Sequence, residues 1–333
     1  GGGKPPVFPE SPMDPHVVSM WCLTAKKPEC LRPRHVGSSH QGLRVRGTRV
    51  APAATGASFT AAALTALTAR GRKAAPRSQD PVFRWLSKVL SKTDRSLGQV
   101  LDAGTGPDSL TWLARQRCES ITAVTACDGM YATLEDEVLE YLDPSRDKVL
   151  VGNWKDETFL QKKSFDLVLA DYLLGSVDFF APYFQVGLLE RLSHLTKPGG
   201  MLILVGKEPP EDLTSSDATS QLVLDIECFR DAVITLGRQR PYREMPRRWC
   251  AQQLNKDFQL LKGRLFPRKL NEEKVLRNLD WAAEELENVQ VPLREAMQKH
   301  LELLRSRLRE TTDTVDGHVF GQDYALVLQK LGK

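Results

Sequence analysis

The chain has 333 residues, 41% of them apolar, which is enough to bury a substantial core and excludes a wholly unfolded protein. Its net charge of +4 hides an asymmetry: residues 1–79 hold 12 Lys and Arg against 3 Asp and Glu, a net of +9, so the remainder nets −5. A mildly acidic body argues against nucleic acid as its main partner, because phosphate binding needs clustered basic side chains.

From Cys30 to Gln79 there is no acidic residue, while arginine recurs at Arg32, Arg34, Arg44, Arg46, Arg49, Arg70, Arg72 and Arg77. Arg-rich, Ser/Thr-rich and acid-poor is the signature of an organellar transit segment, with a plastid favoured over a mitochondrion. The alternative is a disordered tail on a cytoplasmic protein. The stretch ASFTAAALTALTA, 57–69, is too short and too weakly apolar to span a bilayer, and no longer apolar run occurs elsewhere. The six cysteines lie scattered with no C-x-x-C pair, which fits neither a disulfide framework nor a zinc site and points to a reducing compartment.

The folded part is expected over 80–333. Asp80-Pro81 reads as a helix cap followed by proline at the first helical position, with Val82, Leu86, Val89 and Leu90 on one face. QVLDAG is a short buried strand that ends in a glycine turn, and SLTWLARQR a helix. ITAVTAC (121–127), KVLVGNW (148–154), SFDLVLADYLL (164–174) and MLILVG (201–206) are further strands, with helices TLEDEVLEYL and about 183–195 between them. Strands alternating with helices predict an α/β fold with a mostly parallel sheet and helices on both faces. After about Glu211 helical periodicity takes over, with a strand at 257–266 and a last strand YALVLQK at 324–330. The helical stretches, about 211–256 and 271–312, are expected to cover the site and decide the substrate, with the Trp, Met and Leu faces after residue 270 serving as core.

The turn VLDAGTG puts Asp102, Gly104 and Gly106 between a strand and a helix. Glycine lets backbone approach a ligand closely, and the helix that follows aims free N–H groups at an anion. The order of signals over about 95–207, plus the final strand, resembles the class I S-adenosylmethionine-dependent methyltransferases. That resemblance implies a Rossmann-like seven-stranded sheet with an antiparallel last strand, and S-adenosyl-L-methionine as cofactor. It places Asp102, Gly104 and Gly106 under the methionine portion, and Asn153 and Trp154 of VGNW at the adenine. Asp171 and Tyr172 of FDLVLADYLLG fall at the junction of cofactor and acceptor, as the catalytic candidates, and LTKPGGMLIL matches the approach to the fifth strand.

Two positions depart from the family pattern. Asp108 stands where a third glycine is frequent and suits a helix cap better than a cofactor contact. The acid that holds the ribose falls on Thr125, and the nearest carboxylate, Asp128, reaches back only if 126–128 curl over the sheet edge. A nicotinamide-binding fingerprint would need glycine at 109, where Ser109 stands. No metal ligand set is evident. His194 suits a helix C-terminus, and His318 precedes the last strand. The cluster Arg238, Arg240, Arg243, Arg247 and Arg248, with Tyr242 and Trp249 between, is either a solvated surface or a recognition site for an anion. The implied function is methyl transfer to a small-molecule acceptor. The alternatives are a noncatalytic relative that binds the cofactor as a regulatory or scaffolding subunit, and a nicotinamide-dependent enzyme.

Overall fold

Asp80 opens the first helix as the spacing predicts: its carboxylate accepts the Val82 N–H at 2.7 Å, and Pro81 occupies a position whose N–H would have no partner. A computed structural model describes residues 74–92, 96–311 and 315–332. The expectations for 1–73, including the transit segment and the stretch 57–69, lie outside the described residues. Of the six residues before Asp80 that are described, Ala75 is buried and its carbonyl accepts a bond from Arg115, so packing begins ahead of the helix cap.

Seven strands form one sheet in the order β3-β2-β1-β4-β5-β7-β6. They are β1 (Gln99–Asp102), β2 (Ser120–Thr125), β3 (Lys148–Val151), β4 (Phe165–Asp171), β5 (Thr196–Glu208), β6 (Phe258–Lys269) and β7 (Val319–Lys330). All run parallel except β7, which pairs antiparallel with both β5 and β6. Val100, Leu101, Leu167, Val168 and Leu169 are fully buried, as strands covered on both faces must be.

One face is covered by α1 (Pro81–Leu90), α2 (Pro107–Ala114) and α3 (Asp128–Glu137), whose Leu86, Leu110 and Leu134 share a core with Val100 and Leu167. The other is covered by α4 (Leu173–Phe180), α5 (Gln185–Leu195) and α7 (Arg247–Leu254), packed on Leu101, Val168 and Leu204. A third cluster belongs to the helical cover alone: α6 (Ala218–Leu236), α8 (Glu272–Glu285) and α9 (Leu293–Glu310) close around Ile226, Leu279 and Leu301. The segment 237–246 carries the chain from this cover back to α7.

One element departs from expectation in a way that matters for the site. The strand anticipated over 164–174 ends at Asp171; Tyr172 turns into the left-handed region at φ 47°, and Leu173 begins α4. The chain goes from β1 outward through β2 and β3, then returns to place β4 on the other side of β1. At such a switch point the loops diverge and leave a crevice at the C-terminal ends of the strands.

Candidate functional site

A cavity occupies that crevice, enclosing about 480 Å³ with its open mouth included. Four segments wall it. The first turn supplies Gly104 and Thr105, the end of β2 supplies Val124 to Cys127, the loop after β3 supplies Asn153 and Trp154, and α4 supplies Leu173, Ser176, Val177 and Phe180. The sequence points to the first three and hides the fourth.

Each wall is pinned to the next. Trp154 is buried, and its indole N–H donates to the Ala103 carbonyl at 2.8 Å, tying the loop after β3 to the first turn. The Asn153 amide donates to the Phe180 carbonyl at 2.9 Å and accepts from the Lys155 N–H, which fixes the end of α4 over the same loop. Both polar ends of Asn153 are thus engaged within the chain. A side chain on Gly104 would place its Cβ 2.9 Å from Cβ of Leu173, so glycine is needed there for the turn and α4 to meet. Gly106 caps α2 in an extended conformation, its N–H donating to Ser109 Oγ at 3.1 Å.

Thr125 lines the cavity, its hydroxyl accepting the Cys127 N–H at 3.2 Å. Asp128 does not: residues 128–137 form α3, and Asp128 is exposed on its first turn rather than curled back over the sheet edge. Asp108, likewise, lies in the first turn of α2, where burial and the charge of Asp80 raise its pKa.

Behind the first turn lies a group of carboxylates. Asp102 is buried; Ser109 donates to Oδ2 at 2.8 Å, while Oδ1 has no hydrogen-bond partner. Burial pushes its pKa up to about 7 against the pull of the Thr105 and Ser109 hydroxyls. Asp171 ends β4 beside it, also buried and also with Oδ1 unpartnered; burial first, then the charge of Asp102, lift its pKa well above the usual carboxylate range. Thr105 Oγ1 is the third buried polar atom here that makes no well-formed hydrogen bond, although it lies near enough to Asp102 to pull on that carboxyl. Tyr172 faces Asp323 of β7, and burial together with that carboxylate raises the phenol. Asp171 and Tyr172 therefore stand next to the cavity and outside its lining.

His318 is drawn away from the site: its Nε2 lies 3.0 Å from Ser220 Oγ and 3.1 Å from Asp217 at the start of α6. The His194 ring nitrogen Nδ1 bonds the Glu190 carbonyl on the last turns of α5. Among the described residues no group of His, Cys, Asp and Glu could hold a metal ion, and no helix is long and apolar enough to cross a membrane.

The sheet order, the single antiparallel strand and the glycine turn at the switch point define the fold of the class I S-adenosylmethionine-dependent methyltransferases. No protein-family model matches the chain, and no curated protein matches it either. Solved structures similar to it include a putative methyltransferase from Bacillus halodurans, at 15% identity over 74% of this chain and 99% of that one, with a TM-score of 0.46. A cyclopropane-fatty-acyl-phospholipid synthase-like protein from Lactobacillus casei is 11% identical over 78% and 96% of the two chains, with a TM-score of 0.48. Coclaurine N-methyltransferase bound to N-methylheliamine and S-adenosylhomocysteine is 16% identical over 79% and 78%, with a TM-score of 0.43.

Proposed function

We propose that the chain binds S-adenosylmethionine in this cavity and transfers its methyl group to a small-molecule acceptor. The observation that carries the reading is the set of unpartnered buried atoms at one end of the cavity. Thr105 Oγ1 sits in the wall, with Asp102 Oδ1 and Asp171 Oδ1 behind it. Buried polar groups ordinarily have partners. Acids left without one suit a ligand that carries positive charge, as the ammonium and sulfonium of this cofactor do. The apolar part of the lining, Val124, Met130, Val177 and Phe180, suits a flat base.

When bound, the cofactor supplies a methyl group on a cationic sulfur, which a nucleophile displaces in line. The chain's task is then alignment, and orientation can supply roughly 7–11 kcal/mol of such a barrier. Trp154 and Asn153 hold the walls rigid; Thr105 and the acids behind it fix the charged end. Asp171 and Tyr172 lie behind the lining at the end of β4, and Asp171, ionised once the cofactor's positive charge lowers its raised pKa, is the candidate to take a proton where the nucleophile arrives protonated.

Calorimetric titration with S-adenosylhomocysteine and, separately, with NADH tests the cofactor. Binding of the first with none of the second is the expected result; the reverse would return the chain to the nicotinamide enzymes. A second reading, cofactor binding without turnover, is favoured by one observation: Asp171, buried, and Tyr172, half-buried, stand beside the cavity rather than in its lining. Transfer of tritium from labelled S-adenosylmethionine into small molecules of an extract decides between the two.

A further inference from the structure

Tyr183 is the most exposed large hydrophobic residue among those described, with 70% of its surface in solvent, and it holds a left-handed backbone at φ 62°. Asp178 keeps it there. Asp178 is buried on α4, and its Oδ1 accepts both the Tyr183 N–H at 2.8 Å and the Gln185 amide at 3.0 Å. Its second oxygen lies 3.8 Å from the Arg240 guanidinium, which in turn lies 4.3 Å over the Tyr183 ring. A half-exposed arginine is thus fixed from below by a buried acid and from the side by an aromatic face.

The place matters as much as the geometry. Asp178 belongs to the helix whose Ser176, Val177 and Phe180 wall the cavity, but its spacing turns it to the other side of that helix, so Arg240 stands beside the wall and outside the lining. Phe180, Phe179 and Tyr242 lead from the lining to the segment that carries Arg240, their neighbouring ring centroids 4.9 and 6.1 Å apart. Arg238 and Arg243 flank it, both exposed. This surface beside α4 is therefore basic and partly aromatic on a body that is otherwise net acidic.

We propose that Arg240, held by Asp178 and Tyr183 and flanked by Arg238 and Arg243, recognises the anionic group of an acceptor with an apolar body, a phosphate or a carboxylate, beside the helix that walls the cavity. The acceptor role rests on the methyltransferase reading; the anion site does not. A guanidinium fork matches both oxyanions through paired N–H donors, and one already fixed in position loses less freedom on binding. A small acceptor is favoured over a nucleic acid because the anchored device is a single guanidinium beside a small cavity, and the body around it is acidic.

The full-length chain, with and without S-adenosylhomocysteine, is titrated calorimetrically with phenyl phosphate, benzoate and the neutral benzamide. One or both anions should bind and benzamide should not, and the stronger of the two names the oxyanion. Arg240→Gln should weaken that binding about tenfold or more, the worth of a charge-assisted pair. Lys148→Gln, which removes an exposed cation from β3, should leave it unchanged, and Arg240→Lys should recover only part. Asp178→Asn, checked for an intact thermal transition, should weaken it less than Arg240→Gln. Equal binding of benzamide, or no effect of Arg240→Gln, overturns the proposal. So does a single-stranded uridine oligonucleotide that binds more tightly than phenyl phosphate, with a salt slope lowered alike by Arg243→Gln and Arg248→Gln. That result would make the arginine surface a nucleic-acid surface. Anion binding that depends on Arg240 in a chain that ignores S-adenosylhomocysteine overturns the acceptor role and the cofactor reading, and leaves the anion site standing.

Discussion

Asp102 is held where its charge is least welcome. It is buried, shares its surroundings with Asp171, and receives one hydrogen bond from Ser109. With a folded pKa of about 7 against 3.8 unfolded, the native chain holds a proton that the unfolded chain has released between those values. Stability therefore falls as pH rises from about 4 to 7. Asp102→Asn should raise the melting temperature at pH 8, since it deletes a buried charge, and weaken S-adenosylmethionine binding in the same preparation. Wild-type affinity for that cation should also climb with pH through 7, and the variant should flatten the climb. Calorimetry and melting curves at pH 5.5, 7 and 8 measure both; a variant that loses stability at pH 8 would remove the acid from this role. Asp128 offers the opposite case. Exposed on α3 and outside the cavity lining, it should tolerate Asp128→Ala with less than about a twofold loss of S-adenosylhomocysteine affinity, under 0.5 kcal/mol. A tenfold loss would show that α3 unwinds to reach the ribose.

At the scale of elements, the cover is held to the sheet by charge as well as by its own core. Lys207 of β5 and Glu227 of α6 meet at 2.7 Å with little exposure, and Arg268 of β6 stands 3.6 Å from the same carboxylate. Burial alone would raise Glu227, but Lys207, Arg230 and Arg268 hold it below its usual value. Glu227→Ala leaves Lys207 buried without its partner and should cost about 3–5 kcal/mol in chemical denaturation. A cost under about 1 kcal/mol would mean that water screens the pair. The same elements show what the sequence discloses and what it conceals. The strand–helix alternation, the glycine turn and VGNW are written in short-range patterns, so β1 to β5 and three walls of the cavity are legible. Helix α4 is not, because VLADYLLGSV is apolar but for Asp171 and Ser176, and a buried strand and a buried helix read alike. The signal that divides them is Tyr172 in the left-handed region, a conformation that sequence rarely announces in an aromatic residue. Leu173, Ser176, Val177 and Phe180 were concealed with it. Gly104 was legible as a close approach, but the Leu173 side chain that requires it was not. The pairing of Arg240 with Asp178 joins residues far apart in the chain, and only the tertiary fold brings them together.

For the whole molecule, the decisive element is the first helix. Helix α1 lies on the face that also carries α2 and α3 and reaches from one side of the sheet to the other: Phe83 stacks on Trp112 of α2 at 5.1 Å, and Trp85 meets Phe266 of β6 edge-on at 5.8 Å. The Trp112 indole also donates to Ser87 Oγ at 2.9 Å. Val82, Phe83, Leu86 and Leu90 are all buried in the first core. At roughly 1.5–3 kcal/mol for each buried side chain, α1 contributes on the order of 6–12 kcal/mol. That is comparable with the roughly 5–15 kcal/mol by which a domain is stable at all. A chain beginning at Ala74 retains α1 together with the buried Ala75 and its bond from Arg115. It should melt in one cooperative transition and be stabilised by S-adenosylhomocysteine. A chain beginning at Ser96 lacks α1 and exposes Trp112, Phe266 and the core beneath them; it should fail to fold or aggregate, although every wall of the cavity is still encoded. Calorimetric melting of the two chains beside the full-length protein tests this. If the chain from Ser96 melted like the full-length protein, α1 would be an appendage and the first core would close without it. If the chain from Ala74 were insoluble while the full-length protein was not, folding would depend on residues 1–73.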